Sequence, residues 1–395
     1  MNKLQIGAWY PVDLNYLDKR HIDEMAEAGI DFIFAAWGDE VQKKEIFRLC
    51  ADAKIGVLTQ DMRVLRSEGD SEKIFAYTGD YINEPAFIGN MLRDEPPATD
   101  YPGYAKLVDG YKKARPDKVP YINLLPIYAS KEMLGTETYE EYIEQYAAQI
   151  DTDYISVDIY PFSCGNDGIK RTNNDYFRNL DITAEVCRRY GRSLRGFIQT
   201  MGFNYIMRDP TEPEMRYQAY AFLAFGADAI YHFCYATPPS SGEHFEYAMI
   251  DLKGEKTHLW HSAKAVNDEL HAISDVLSQY INVGTYINIA GEKPDGVDFD
   301  NIYDINSLGT VKSFESDETV LAGCFKKESG KGDALILLNA SEIRDEKTAE
   351  VKLSLCCEKT VTAYPDGKAE RIYPDSDGIY TFALECCRGY LVTIE

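Results

Sequence analysis

The sequence predicts an α/β chain: a (β/α)8 TIM barrel followed by a C-terminal antiparallel, sandwich-like β domain. Three observations carry that prediction. Short apolar runs alternate with helical stretches eight times over about 280 residues, the usual extent of such a barrel. Strict strand–helix alternation requires a parallel sheet. After residue 283 the helical runs stop, and segments such as TVLAGCFKKE, DALILLNA, AEVKLSL and GYLVTIE alternate between turns rich in Gly, Asp, Asn and Ser. The expected division is therefore a barrel over 1–282 and a β domain over 283–395. An open doubly wound sheet is the alternative. No GxGxxG follows the first strand and no GxxxxGK[ST] occurs, and eight units favour closure over five or six.

The elements follow in order. LQIGAWYP (4–11) reads as strand one, and YLDKRHIDEMAEAG as the first helix, closed by Gly29. DFIFAAW (31–37) is strand two, apolar on both faces as a barrel strand must be. EVQKKEIFRLCADA is the second helix and KIGVLTQD (54–61) strand three. DSEKIFAYTGDYINE is helical, and FIGNMLRDEPP (87–97) is strand four, stopped by Pro96 and Pro97. YPGYAKLVDGYKKARPD, TYEEYIEQYAAQI, DYFRNLDITAEVCRRYG and TEPEMRYQAYAFLAFGA are the next helices, the last with Thr211 and Glu214 at capping-box spacing. Between and after them lie strands five (119–126), six (153–162), seven (193–202) and eight (228–239). KTHLWHSAKAVNDELHAISDVLSQY closes the barrel.

Composition bounds the function. The chain has 395 residues, is 45% hydrophobic, and carries a net charge of −24, which argues against nucleic acid and anionic membrane surfaces as partners. No run approaches the roughly 18 apolar residues of a membrane span, and no apolar leader follows Met1. Nine cysteines, with the vicinal pairs Cys356–Cys357 and Cys386–Cys387 and no CxxC spacing, fit reduced thiols and a cytoplasmic location. The 29 tyrosines suit a ligand with both polar and apolar faces, sugars among them.

Barrel enzymes place their chemistry at the C-terminal ends of the strands. Those ends carry Trp9, Trp37, Asp61, Asp94 with Glu95, Asn123, Asp158 with Tyr160, Gln199 and Tyr235; Glu243 follows in the loop after strand eight. Glycoside hydrolysis needs two carboxyl groups in different environments, one as acid and one as nucleophile or base. Glu95 is the acid candidate, since Asp94 beside it opposes its ionisation. Alternation along strand four puts Arg93 on the face of Glu95, one layer deeper, where it would hold Asp158 as an anion. Asp158 is then the second catalytic carboxylate, with Glu243 the runner-up. Asp61, Asp94, Asn123, Tyr160 and Gln199 would bind hydroxyls, and Trp9, Trp37 and Tyr235 would stack on sugar rings. No HxH or HExxH spacing occurs, so no metal and no cofactor is expected. His232 reads as a core histidine.

With these residues in place, the chain resembles the retaining (β/α)8 glycoside hydrolases that carry a Glu on strand four, a β-galactosidase-like, family 42-like group with a C-terminal β domain. The resemblance covers the first 280 residues or so. In that group strand four ends in Asn-Glu, the Glu being the acid/base and the Asn a ligand of the sugar 2-hydroxyl; here Asp94-Glu95 stands there. The segment YAMIDLKGEKTHLWHSAKAVNDEL (247–270) is similar to the group's passage into its last helix. The group's nucleophilic Glu ends strand seven, where this chain has Gln199. The resemblance implies a hydrolase acting on a small glycoside or oligosaccharide, and leaves room for a homo-oligomer. The departure at Gln199 keeps open a carbohydrate-binding protein on a degenerate barrel, and the His and Asp content a metal-dependent hydrolase.

Overall fold

The structure, a computed structural model, describes residues 3–10, 18–35, 40–165, 167–239 and 242–395. The eight expected strands form a closed parallel barrel, in the order one, eight, seven, six, five, four, three, two and back to one. Their regular portions are Gln5–Ala8, Phe32–Ala35, Gly56–Thr59, Phe87–Asp94, Val119–Leu124, Tyr154–Asp158, Ser193–Gln199 and Ala227–Phe233. Most are shorter than their apolar runs, because the ends turn outward into loops that carry side chains to the mouth. Residues 36 and 37 of the expected strand two, and with them Trp37, lie outside the described residues.

The barrel interior is aromatic. Phe32, Phe34, Tyr121, Tyr154, Phe197 and Tyr231 point inward with Leu58 and Met91. Phe34 and Tyr121 have centroids 4.7 Å apart, Phe197 and Tyr231 5.0 Å, in tilted and edge-on arrangements that bring ring edges to ring faces. Beneath them Arg195 donates from Nε to Asp228 at 2.8 Å and lies over the Tyr154 ring. This charge is paired, as burial demands. Among the described residues the floor is therefore packed with side chains.

Helix caps follow the sequence. The Thr211 hydroxyl accepts from the Glu214 N–H, and the Glu214 carboxylate accepts from the Thr211 N–H, the reciprocal capping box. Gly191 ends the helix Tyr176–Tyr190 at φ +64. Two short α-helices were not foreseen: Met62–Leu65, capped by Asp61 after strand three stops at Thr59, and Lys131–Leu134, capped by Ser130.

The C-terminal part holds a six-stranded and a three-stranded antiparallel sheet packed face to face. Val320, Ala322, Leu335, Leu337 and Val392 of the larger meet Phe314, Val351, Leu353 and Phe382 of the smaller. The opposite face of the larger sheet, with Leu321, Phe325, Ile336 and Leu338, covers the barrel helix Glu212–Ala224. Contact is close enough to need glycine. A Cβ on Gly323 would stand 2.4 Å from the Ala224 carbonyl oxygen, and one on Gly389 2.5 Å from the Tyr220 ring. The first strand of this unit, Tyr280–Asn288, runs across the 282/283 boundary. Among the described residues, no helix is long and apolar enough to cross a membrane.

Candidate active site

The stretch at the end of strand four departs from simple alternation. Its register against strand five pairs Met91 with Tyr121, then Arg93 with Ile122 and Asp94 with Asn123, so Leu92 is an extra residue. A bulge of this kind reverses which side chains face inward. Arg93 consequently points outward, is exposed, and its charge is felt by Tyr104 on the flanking helix. It does not hold Asp158, whose carboxyl is raised by desolvation and not lowered as expected. Asp94 comes inward beside Asn123.

Glu95 follows at φ +49, a left-handed conformation in which a residue with a Cβ is strained. Two bonds hold it there. Its N–H donates to the Asn123 carbonyl at 3.0 Å, and the next carbonyl, of Pro96, accepts from the Tyr142 hydroxyl at 2.8 Å. The proline pair and the buried Tyr142 thus fix the turn that presents the carboxyl.

Asn123 is the hub of the polar layer. Its Nδ2 donates to Asp158 Oδ1 at 3.0 Å, and its Oδ1 accepts from Ser156 Oγ at 2.9 Å; Ser156 Oγ in turn lies 2.8 Å from the Tyr121 hydroxyl. The chain of bonds fixes which end of the amide faces the carboxylate. It also accounts for a serine buried in an apolar strand.

Electrostatically the site is an acidic well. Desolvation, then Asp94, then Glu243 push Glu95 up to about 7. Desolvation, then Glu95 and Asp94, raise Asp158 well above the usual carboxylate range, with Asn123 opposing. Desolvation raises Asp94 too, against hydrogen bonding by Asn123 and the charge of Arg93. Carboxyls gathered in this way oppose one another's ionisation.

These groups line a cavity of about 330 Å³ at the barrel mouth. It gathers Trp9, Asp94, Glu95, Asn123, Asp158, Tyr160 and Glu243 from the expected set. Its walls are aromatic. Tyr160 packs at 5.4 Å from Phe203 and 5.3 Å from Phe233, and Trp9 at 6.0 Å from Phe197. Phe197, Phe203, Phe233, Phe245, Tyr128 and Asn204 also line the cavity and were not foreseen. Phe197 was within reach, being two positions before Gln199 on the same face of strand seven. Phe233 ends strand eight; Tyr128, Phe203, Asn204 and Phe245 sit in loops with no periodicity to give them away. No Lys, Arg or His is among the described lining residues.

Three expected residues lie elsewhere. Asp61 is turned into the wall, accepting from the Arg63 guanidinium at 2.8 Å and the Tyr81 hydroxyl at 3.1 Å. Tyr235 is fully buried beneath the mouth and offers no platform. Gln199 is a structural clamp: its Oε1 accepts from Phe162 N–H at 3.0 Å, and its Nε2 donates to the carbonyls of Phe162 and Arg208 at 3.0 and 2.7 Å. Every polar atom of that amide serves the backbone of the loops after strands six and seven, so it is not placed for a sugar hydroxyl. His232 is a core residue as expected, its Nε2–H donating to Asn267 Oδ1 at 2.9 Å.

Comparison with known proteins agrees with this architecture. Residues 123–273 match the family model of glycoside hydrolase family 42, described as beta-galactosidase. No curated protein matches the chain. A beta-galactosidase from Bacillus circulans sp. alkalophilus aligns with a TM-score of 0.65 at 9% identity, over 100% of this chain and 99% of that one. A family 42 beta-galactosidase from G. stearothermophilus gives 0.63 at 9% identity, over 100% and 98%. A beta-galactosidase from the Antarctic haloarchaeon Halorubrum lacusprofundi gives 0.51 at 13% identity, over 68% of this chain and 58% of that one, so the chain spans less than two thirds of the haloarchaeal enzyme. At such identities the structures speak for the fold. The family match over residues 123–273 and the closed barrel make this chain similar to the family 42 glycoside hydrolases.

Proposed function

We propose that the chain hydrolyses a small neutral glycoside or oligosaccharide, with Glu95 as the general acid and Asp158 as the second carboxylate. The observation that carries this reading is the cavity that brings Glu95 and Asp158 together, both raised by desolvation and Asp158 further by the charge of Glu95, within walls of aromatic rings. On this reading the pair holds a single proton, and its titration belongs to both groups together. A glycosidic oxygen seated at the rim accepts from Glu95, which biases the proton to that residue. The Asn123 amide donates to Asp158, which favours the anion there. That division of labour is what glycosidic cleavage requires. Asp94, Asn123 and Tyr160 serve hydroxyls, and Trp9 with the phenylalanines takes the C–H faces. Glu243 stands close enough to act on Glu95 electrostatically and is the alternative second carboxylate.

The substrate class follows from charge. An acidic well with no basic side chain among its described lining residues repels uronates and sugar phosphates, which points to neutral sugars. The beta-galactosidases among the similar structures make β-galactosides the first substrates to try. Nine thiols suit a reducing compartment. A second reading, sugar binding without turnover, draws on the engagement of Gln199 with backbone, which leaves strand seven without a carboxylate.

One experiment separates the two. A panel of aryl glycosides is assayed for turnover, and the first-formed product anomer is read by proton NMR. Turnover with a single first-formed anomer supports hydrolysis. Binding without turnover across the panel supports the second reading.

A further inference from the structure

The cleft between the barrel and the β domain holds chemistry that sugar hydrolysis does not use. It has a volume of about 640 Å³ and is lined by Arg171 of the hairpin after strand six, by Arg208 and Glu214, by Ile343, and by the vicinal pair Cys386–Cys387. Cys387 is buried and sits at φ +60, and Cys386 is half-buried toward the cleft. Their sulfurs are 3.7 Å apart. Cys386 Sγ also lies 3.6 Å from the Ile343 carbonyl, to which it donates, leaving the Cys387 S–H to donate to Cys386. That bond holds the Cys386 thiol below its ordinary range. Cys50, Cys187 and Cys324 are buried singly in apolar cores, and burial pushes each up to about 12.

We propose that Cys386 and Cys387 form a redox-active vicinal dithiol, closed to an intramolecular disulfide by low-molecular-weight disulfides that enter this cleft. The Cys386 thiolate attacks one sulfur of the incoming disulfide; that S–S bond breaks, and one half leaves as a thiol after taking a proton. Cys387 loses its proton and attacks Cys386 Sγ, releasing the second half as a thiol. One disulfide is reduced to two thiols while two cysteines lose two hydrogens. Adjacent Cα atoms are about 3.8 Å apart, shorter than the roughly 4.4–6.8 Å an unstrained bridge spans. The product is therefore easily reduced, and the site is reversible.

The test uses the intact chain. It is incubated with oxidised glutathione, alkylated with N-ethylmaleimide and digested with trypsin. The peptide Ile372–Arg388 carries this pair, and Leu353–Lys359 carries the exposed Cys356–Cys357 pair. The expected result is an unalkylated Ile372–Arg388 peptide lighter by two hydrogens, restored to double alkylation by dithiothreitol. Cys387→Ser is expected to retain glutathione on Cys386, and Cys386→Ser to show neither adduct nor bridge. A wild-type peptide that stays doubly alkylated, or that carries a persistent glutathione adduct, overturns the proposal without reference to either variant.

Discussion

Glu95 combines three features seldom found together by accident: a left-handed backbone, a raised carboxyl and a place at the mouth of a barrel. Strain of this kind costs roughly 1–3 kcal/mol and persists where surrounding structure over-determines it. The raised carboxyl has a consequence for stability. Below the ordinary Glu range, about 4.3, both folded and unfolded states are protonated and nothing is lost. Between there and about 7 the unfolded chain ionises while the native one resists, so stability falls as pH rises. Glu95→Gln removes that penalty. Its melting temperature relative to wild type is expected to be near zero at about pH 4 and to rise toward about pH 8. A difference that is flat with pH contradicts the assignment. Glu95 itself was legible in the sequence because two carboxylates followed by two prolines end an apolar run. The state of Asp158 was not, because alternation alone could not foresee the extra residue in strand four that sends Arg93 outward and leaves Asn123 to hold the carboxylate.

At the level of the element, the ends of strands decide what the pocket contains. Gln199 reads in the sequence as the isosteric remnant of a strand-seven nucleophile, but its amide ties together the loops after strands six and seven. Gln199→Glu is therefore expected to destabilise the fold and to add no activity. A carboxylate cannot donate to the Phe162 and Arg208 carbonyls, and an unpaired buried acceptor costs roughly 1–3 kcal/mol, more when charged. A gain in turnover would place this residue in the pocket after all. The Thr211 capping box, by contrast, was readable from four residues. Thr211→Ala is expected to cost about 1 kcal/mol in denaturant unfolding with no change in KM. Strand and helix existence came through because periodicity is a local signal. Tyr128, Phe203, Asn204 and Phe245 did not, because loops bring them to the mouth by tertiary packing.

At the scale of the whole molecule, the barrel and the β domain are one structure. The helix Glu212–Ala224 is buried almost all round, between strands seven and eight on one side and the six-stranded sheet on the other. A chain truncated after Gln279 would expose Tyr220, Leu223 and the close backbone contact at Ala224. It is expected to be insoluble or to lack a cooperative melting transition; a soluble barrel with a sharp transition contradicts this. The eight units and the switch to antiparallel strands were visible in the sequence, since each is a repeated pattern. The glycine-lined seam that joins the two parts was not, because Gly323 and Gly389 look like ordinary interruptions until their neighbours are known.

The central claim is that Glu95 protonates the departing oxygen, and leaving-group dependence tests it most directly. Wild type and Glu95→Gln are compared on glycosides with a poor leaving group and with dinitrophenol, which departs without a proton. The variant is expected to lose on the order of 10²–10⁴-fold in kcat/KM on the poor leaving group and far less on the dinitrophenyl substrate. Equal activity of variant and wild type on the poor leaving group, or an equal loss on both, contradicts Glu95 as the acid.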